Sequence, residues 1–215
     1  IKKKYTISLM GILKQHKIIF CHIPKTGGIT THKIMESIGN LEICDRHYNL
    51  LQLKEKIGDD ELFEKSLKFC IVRNPWDRMV STYFFRKEKK EADFGPIEQW
   101  DLDFNDWISY IYSPEYKNLK LKHTGTCDNV LYQFGSSIRW VLDENNNILA
   151  DKIIRFENLN EELKTLFSNY NYTQEITKNN STKHRRYQEY YNENSKNLVA
   201  QNFKEDIEYF NYKFE

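Results

Sequence analysis

The run His22-Ile23-Pro24-Lys25-Thr26-Gly27-Gly28-Ile29-Thr30-Thr31, set directly after the apolar stretch Ile18-Ile19-Phe20-Cys21, joins one lysine to two glycines and three hydroxyls. A short buried strand that passes through such a loop into a helix aims backbone N–H groups and a cation at one point, which is the chemistry of holding a phosphate. The loop of nucleoside-triphosphate enzymes has the order G-x-x-x-x-G-K-[ST], with its Lys after the glycines. Here Lys25 precedes Gly27 and Gly28, so the motif is a different one. A second junction has the same form: Lys68-Phe69-Cys70-Ile71-Val72 runs into Arg73-Asn74-Pro75-Trp76-Asp77-Arg78-Met79-Val80-Ser81. Where an ATPase or GTPase holds Mg²⁺ with an Asp, this chain has Arg73, and the third apolar strand, Lys152 to Phe156, carries Arg155. A guanidinium fork matches phosphate oxygens without a metal. Ser81 lies eight residues after Arg73, about two turns into a helix for which Asp77 is the expected N-cap and Met79, Val80, Tyr83 and Phe84 the apolar face.

In these residues the chain resembles the sulfotransferases that use 3′-phosphoadenosine-5′-phosphosulfate (PAPS), within them the carbohydrate branch of heparan/chondroitin sulfotransferase-like enzymes. The resemblance rests on Pro24-Lys25-Thr26-Gly27-Gly28, on Arg73 to Arg78 with Ser81, on Arg155-Phe156-Glu157-Asn158-Leu159 and on the tail Tyr187 to Phe214, nearly the whole chain in order. It implies that Lys25 contacts the bridging and leaving oxygens of the 5′-phosphosulfate, with donors from Thr26, Gly27, Gly28, Ile29 and Thr30, and that Arg73 and Ser81 hold the 3′-phosphate. Ile29 departs from the family pattern, where a hydroxyl is common; Thr30 or Thr31 would take its place. The polar segment Asn179 to Arg186 matches a loop that folds over the nucleotide, with Ser181, Thr182 and Lys183 as contacts; a solvated connection is the competing reading.

The implied reaction is an in-line transfer of the sulfuryl group from PAPS to a hydroxyl, releasing adenosine 3′,5′-bisphosphate (PAP) and needing no metal. An alcohol needs a base. His47, in Asp45-Arg46-His47-Tyr48-Asn49, lies between the phosphosulfate helix and the second strand, where the resembling enzymes carry an active-site His. It is the chosen base, against a structural histidine as the alternative; His123 is the second choice and Asp45 stays open. His22 is expected to shape the loop, His32 lies in the following helix, and His16 reads as a surface residue. Two rival functions are a noncatalytic PAPS/PAP-binding module and a nucleotide-dependent kinase, which would need Mg²⁺ and a carboxylate at the phosphate edge.

The elements must place both junctions on one edge. Strand, helix, polar link, strand, helix, an irregular middle and a return to strand and helix predict a single α/β domain over residues 1–215, a P-loop-like three-layer fold with a central parallel sheet flanked by helices and ligand at the carboxyl ends of the strands. Asn158 with Glu161 suggests a capping arrangement at a third strand-helix junction, and a last helix near Ser195 to Phe210 is expected to pack on the sheet. The middle, Lys87 to Leu142, is the expected acceptor region, because aromatic faces stack on sugar rings; Phe104, Trp107, Ile108 and Ile111 also fit one buried helical face, the favoured reading for Trp107.

Composition sets the outer limits. Thirty-two basic against thirty-one acidic residues argue against a nucleic-acid binder. Four cysteines without C-x-x-C spacing argue against zinc and redox motifs, and point to a reducing compartment unless Cys44 pairs with Cys127. No apolar run approaches the roughly 20 residues of a membrane span, and Tyr5 to Leu13 lacks a signal cleavage site. Cytoplasmic localisation is the first expectation, a Golgi lumen the second should an anchor precede Ile1. The expected partner is a hydroxyl-bearing acceptor, a glycan or glycoconjugate, without nucleic acid.

Overall fold

Short apolar runs that have no polar face to offer become the strands. In the computed structural model, which describes residues 10–44, 47–89, 97–117, 134–170 and 185–215, β1 (Met10–Leu13) turns through a 3-10 segment at Lys14–His16 into β2 (Ile18–Cys21), and β3 (Glu42–Cys44), β4 (Leu67–Val72) and β5 (Lys152–Arg155) complete a sheet of order β3-β1-β2-β4-β5. The helices are α1 (Gly28–Ile38), α2 (Leu50–Ile57), α3 (Asp60–Lys65), α4 (Pro75–Lys89), α5 (Phe104–Ile111), α6 (Pro114–Lys117), α7 (Leu159–Phe167), α8 (Glu193–Asn202) and α9 (Lys204–Phe210). They fall into two units, residues 1–72 with 139–179 and residues 73–138 with 180–215.

The first unit holds the sheet. β2, β4 and β5 are parallel, with Cys21 beside Cys70 and Val72 beside Arg155, so β2 and β4 release the chain at one edge. The parallel core agrees with the α/β expectation, and β1 adds an antiparallel rim by pairing with both β2 and β3. Leu13, Ile18, Phe20, Phe69, Ile71 and Ile154 bury against Ile34 and Met35 of α1 and Leu163 and Phe167 of α7. Continuous apolar runs are what strands covered on both faces require. Cys21 and Cys70 are buried, reduced thiols within these strands, as their neighbours predict. His16 is half-buried: its Nε2 donates to Ile38 O at 3.0 Å and its ring meets Tyr170 edge-on, tying the β1–β2 turn to the end of α1. The polar link contains two helices, each started by a side chain: Asn49 forms a reciprocal cap with Gln52, and Asp59 accepts from Leu62 N. Asn158 forms no side-chain cap, because a 3-10 turn over Phe156–Asn158 feeds the chain into α7 already coiled.

The second unit is helical. α4 starts at Pro75, and its cap is Asn74, whose Oδ1 accepts from Trp76 N at 3.1 Å; Asp77 lies inside the first turn rather than capping it. Proline one position after the cap already has the helical φ and no N–H to satisfy. The expected last helix is two helices, α8 and α9, broken at Phe203 (φ −113°), and its main packing partners are α4 and α5 rather than the sheet. Trp107 is wholly buried, ringed by Tyr83, Trp100, Phe104 and Phe134, and α5 buries Phe104, Ile108 and Ile111 on the same face. Of the described aromatics of the middle segment, Trp100, Phe104, Trp107, Tyr112 and Tyr116 are core and offer no face to a sugar, whereas Tyr110 is half-exposed.

Candidate functional site

The loop after β2 is held in shape by its own side chains. Thr26 is fully buried and its hydroxyl donates to Ile23 O at 2.8 Å, closing a tight turn around Pro24 and Lys25. Lys25 has φ +67° and Gly27 φ +93°, so the backbone reverses twice in the left-handed region before α1 begins. A lysine gains nothing intrinsic from that conformation, and such strain persists only where surroundings impose it. Gly27 needs its conformational freedom, and a Cβ there would also lie 2.8 Å from Leu159 Cδ2. Gly28 is needed for space: a Cβ would fall 1.9 Å from His22 Nε2.

The first intrahelical bond of α1 runs from Thr31 N–H to Gly27 O, and no side chain caps the end. The N–H groups of Gly27, Gly28, Ile29 and Thr30 therefore point out of the helix with the positive end of its dipole behind them. Thr31 is fully buried with its hydroxyl on Gly27 O, so of the two threonines that could replace a hydroxyl at Ile29, Thr30 is the half-exposed one.

His22, His32 and His47 gather at the end of β2. The rings of His22 and His47 are 4.7 Å apart and those of His22 and His32 5.3 Å, both edge-on, with Phe20 stacked on His22 and Trp140 edge-on to His47. His47 is 8% exposed, and its Nδ1 donates to the carbonyl oxygen of His22 at 2.8 Å. A carbonyl only accepts, so the proton is on Nδ1 and the basic lone pair on Nε2. His32 is buried with no hydrogen bond to either ring nitrogen, and desolvation lowers its pKa to about 4. Sequence reasoning picked out His47 and the loop role of His22 but not this cluster, since it depends on ring packing between β2, α1 and the segment before α2.

In the second unit Arg73 is 8% exposed and its Nε donates to Asp77 Oδ2 at 2.8 Å. Ser81 is 4% exposed, one helical turn beyond Asp77 on the same face of α4, which rules out a solvated helix serine. Arg78 is wholly buried, its Nη1 donating to Gly135 O and Ser137 Oγ at 3.0 Å each. Asp206 of α9 accepts from the N–H groups of Ser137 and Ile138. Burial lowers the pKa of Arg78 to about 10 and raises that of Asp206. This buried network was not legible in the sequence, where Arg78 reads only as a motif end and nothing marks Asp206.

Ser181, Thr182, Lys183, His123, Asp45 and Cys127 lie outside the described residues. Among the described residues, no cluster of His, Cys, Asp and Glu has metal-site geometry, and no helix is long and apolar enough to cross a membrane.

The family model described as "Sulfotransferase family" matches residues 10–213, through both units. Among curated proteins, the chain is similar to carbohydrate sulfotransferase 10 of Danio rerio, 23% identical over 164 residues, which cover 70% of this chain and 42% of that protein. It is similar to carbohydrate sulfotransferase 10 of Homo sapiens at 24% over 149 residues and of Xenopus laevis at 22% over 156 residues, each covering 55% of this chain and 42% of the relative. The chain thus spans less than half the length of these relatives. No solved structure matches.

Proposed function

Because the chain belongs to the sulfotransferase family, we propose that it moves the sulfuryl group of PAPS to a hydroxyl of a carbohydrate acceptor by in-line displacement. The observation that carries the reading is Lys25, held at φ +67° beside an uncapped helix end. Four outward N–H groups and an ammonium give an anion the full set of donors that a phosphate with a departing charge requires. In this reading Lys25 and the N–H groups of Thr26, Gly27, Gly28, Ile29 and Thr30 take the 5′-phosphosulfate. Thr26 contributes its backbone, because its hydroxyl is engaged by Ile23.

The acceptor oxygen attacks sulfur opposite the bridging oxygen. The new S–O bond forms as the S–O bond to the phosphate breaks, and the acceptor proton passes to Nε2 of His47. Charge growing on the released 5′-phosphate of PAP is met by Lys25 and the loop amides. The His22 carbonyl, already accepting from His47 Nδ1, holds the ring in the tautomer a base needs and stabilises the imidazolium once it forms. Arg73 and Ser81 take the 3′-phosphate, and Ser181, Thr182 and Lys183 close on the nucleotide. The glycan acceptor rests on the similarity to carbohydrate sulfotransferases. The family match across both units supports one catalytic domain.

Calorimetric titration tests the reading. PAP should bind tightly to the wild type and more weakly to Lys25→Ala and Arg73→Ala, with ATP and Mg²⁺ much poorer. A preference for Mg²⁺-ATP would replace the reading with a kinase, and PAP binding without turnover on any sulfatable glycan would leave a binding module.

A further inference from the structure

Asp77 has no part in the mechanism above, yet its carboxylate accepts a hydrogen bond from Arg73 Nε. Resting on the assignment of Arg73 to the 3′-phosphate, we propose that Asp77 is a positioning residue whose carboxylate sets the Arg73 guanidinium on the face of α4 that carries Ser81.

Arg73 needs such a guide. It leaves β4 one residue before the Asn74 cap, so no helix fixes its direction, and its long side chain has much rotamer freedom to lose. Asp77, in the first turn of α4, stands four residues before Ser81 and so on the same face. Its Oδ2 takes the Nε–H of Arg73 at 2.8 Å, a charge-assisted length, with the Arg73 side chain 9% and the Asp77 side chain 21% exposed. A pair this sheltered keeps one geometry where a surface pair would fluctuate. Using Nε as the point of attachment is what matters: in a planar guanidinium one Nη N–H runs parallel to the Nε–H, while the end-on pair shared by the two Nη atoms points away from that edge. Gripped there, Arg73 would turn its end-on pair of donors toward the face of α4 that carries Ser81, and the phosphate would meet donors already fixed in direction.

A carboxylate beside a phosphate site also repels the ligand, and an acid in a first helical turn stabilises the helix whatever Arg73 does. The 3′-phosphate itself separates these roles, because 5′-AMP lacks it. Calorimetry with PAP and with 5′-AMP on the wild type, Arg73→Lys, Asp77→Ala and Asp77→Ala in the Arg73→Lys background reads selectivity directly. We expect Asp77→Ala to lose about tenfold in affinity for PAP and nothing for 5′-AMP, and to add no loss where lysine has already removed the Nε–H. Should Asp77→Ala fail to fold, Asp77→Ser, a residue at home in a first turn but too short to reach Nε, is expected to show the same selective loss. Undiminished or improved PAP selectivity in either variant would overturn the proposal, as would equal losses for both nucleotides. If the wild type binds PAP and 5′-AMP alike, or Arg73→Lys keeps its selectivity, the 3′-phosphate assignment falls first and the proposal with it.

Discussion

In the proposed mechanism Lys25 and His47 act on opposite ends of the transferred group, so their substitutions should separate. Lys25→Ala removes a charged donor whose stabilisation grows as the phosphate leaves, so kcat should drop by roughly 10²–10³. His47→Ala removes the proton acceptor and should lower kcat by roughly 10²–10⁴ while leaving PAP affinity at the wild-type level; steady-state kinetics beside calorimetry reads both, and equal turnover in His47→Ala would end its role as base. His32 makes a prediction about pH. Its pKa is lowered to about 4 in the folded chain against 6.5 for the free side chain, so between these values the unfolded chain binds the extra proton. Stability is therefore unaffected by His32 above about pH 6.5 and falls by about 3 kcal/mol as the pH drops to about 4, the ring being buried. Denaturant unfolding of the wild type and His32→Met from pH 7 to 4 should show a shallower decline in the variant. Parallel declines would place the proton elsewhere. At this scale the sequence displayed Lys25, Gly27 and Gly28 through their order alone. It could not display that Gly28 makes room for the His22 ring, a relation across the strand-helix turn that exists only after folding.

The elements show where sequence patterns suffice and where they fail. β2, β4 and β5 were legible because each carries an apolar run, residues 18–21, 69–72 and 153–154, ending in a polar junction, whereas β1 and β3 are short rim strands whose pairing, not composition, makes them strands. The α8–α9 break at Phe203 escaped notice because Val199, Phe203, Ile207 and Phe210 keep helical spacing through it. The start of α4 was misplaced by three residues: Asp77 is a good cap by type, but Asn74 precedes a proline that already fits the first turn. Asn74 does more than cap. Its Nδ2 donates to Lys213 O at 2.9 Å, Tyr187 Oη donates to Glu215 O at 2.7 Å, and Phe214 is enclosed by Trp76, Tyr187, Tyr191 and the ammonium of Lys196. This clasp fastens residues 213–215 to the junction that bears Arg73. Phe214→Ala should cost about 2 kcal/mol, the worth of a buried aromatic face, and lower the melting temperature by roughly 4–8 °C. An unchanged melting temperature would show that the clasp contributes nothing to stability.

At the scale of the whole molecule, the charge balance of 32 basic to 31 acidic residues gives a strongly anionic nucleotide little general attraction, so donor affinity must come from local groups. In the proposed reading those groups are divided: Lys25 and the α1 amides belong to the first unit, Arg73 and Ser81 to the second. Ligand linkage tests whether one nucleotide draws on both. PAP at 100 times its Kd stabilises any state that binds it by about 2.7 kcal/mol, which for a chain of this size raises the melting temperature by roughly 5–11 °C. If the 215 residues form one catalytic domain, calorimetric unfolding gives a single transition, PAP moves it as a whole, and both Lys25→Ala and Arg73→Ala shrink the shift at fixed PAP. A nucleotide held by the first unit alone would instead leave the shift intact in Arg73→Ala. Two independent transitions, only one of them moved by PAP, would divide the chain into two domains and confine the donor to one of them.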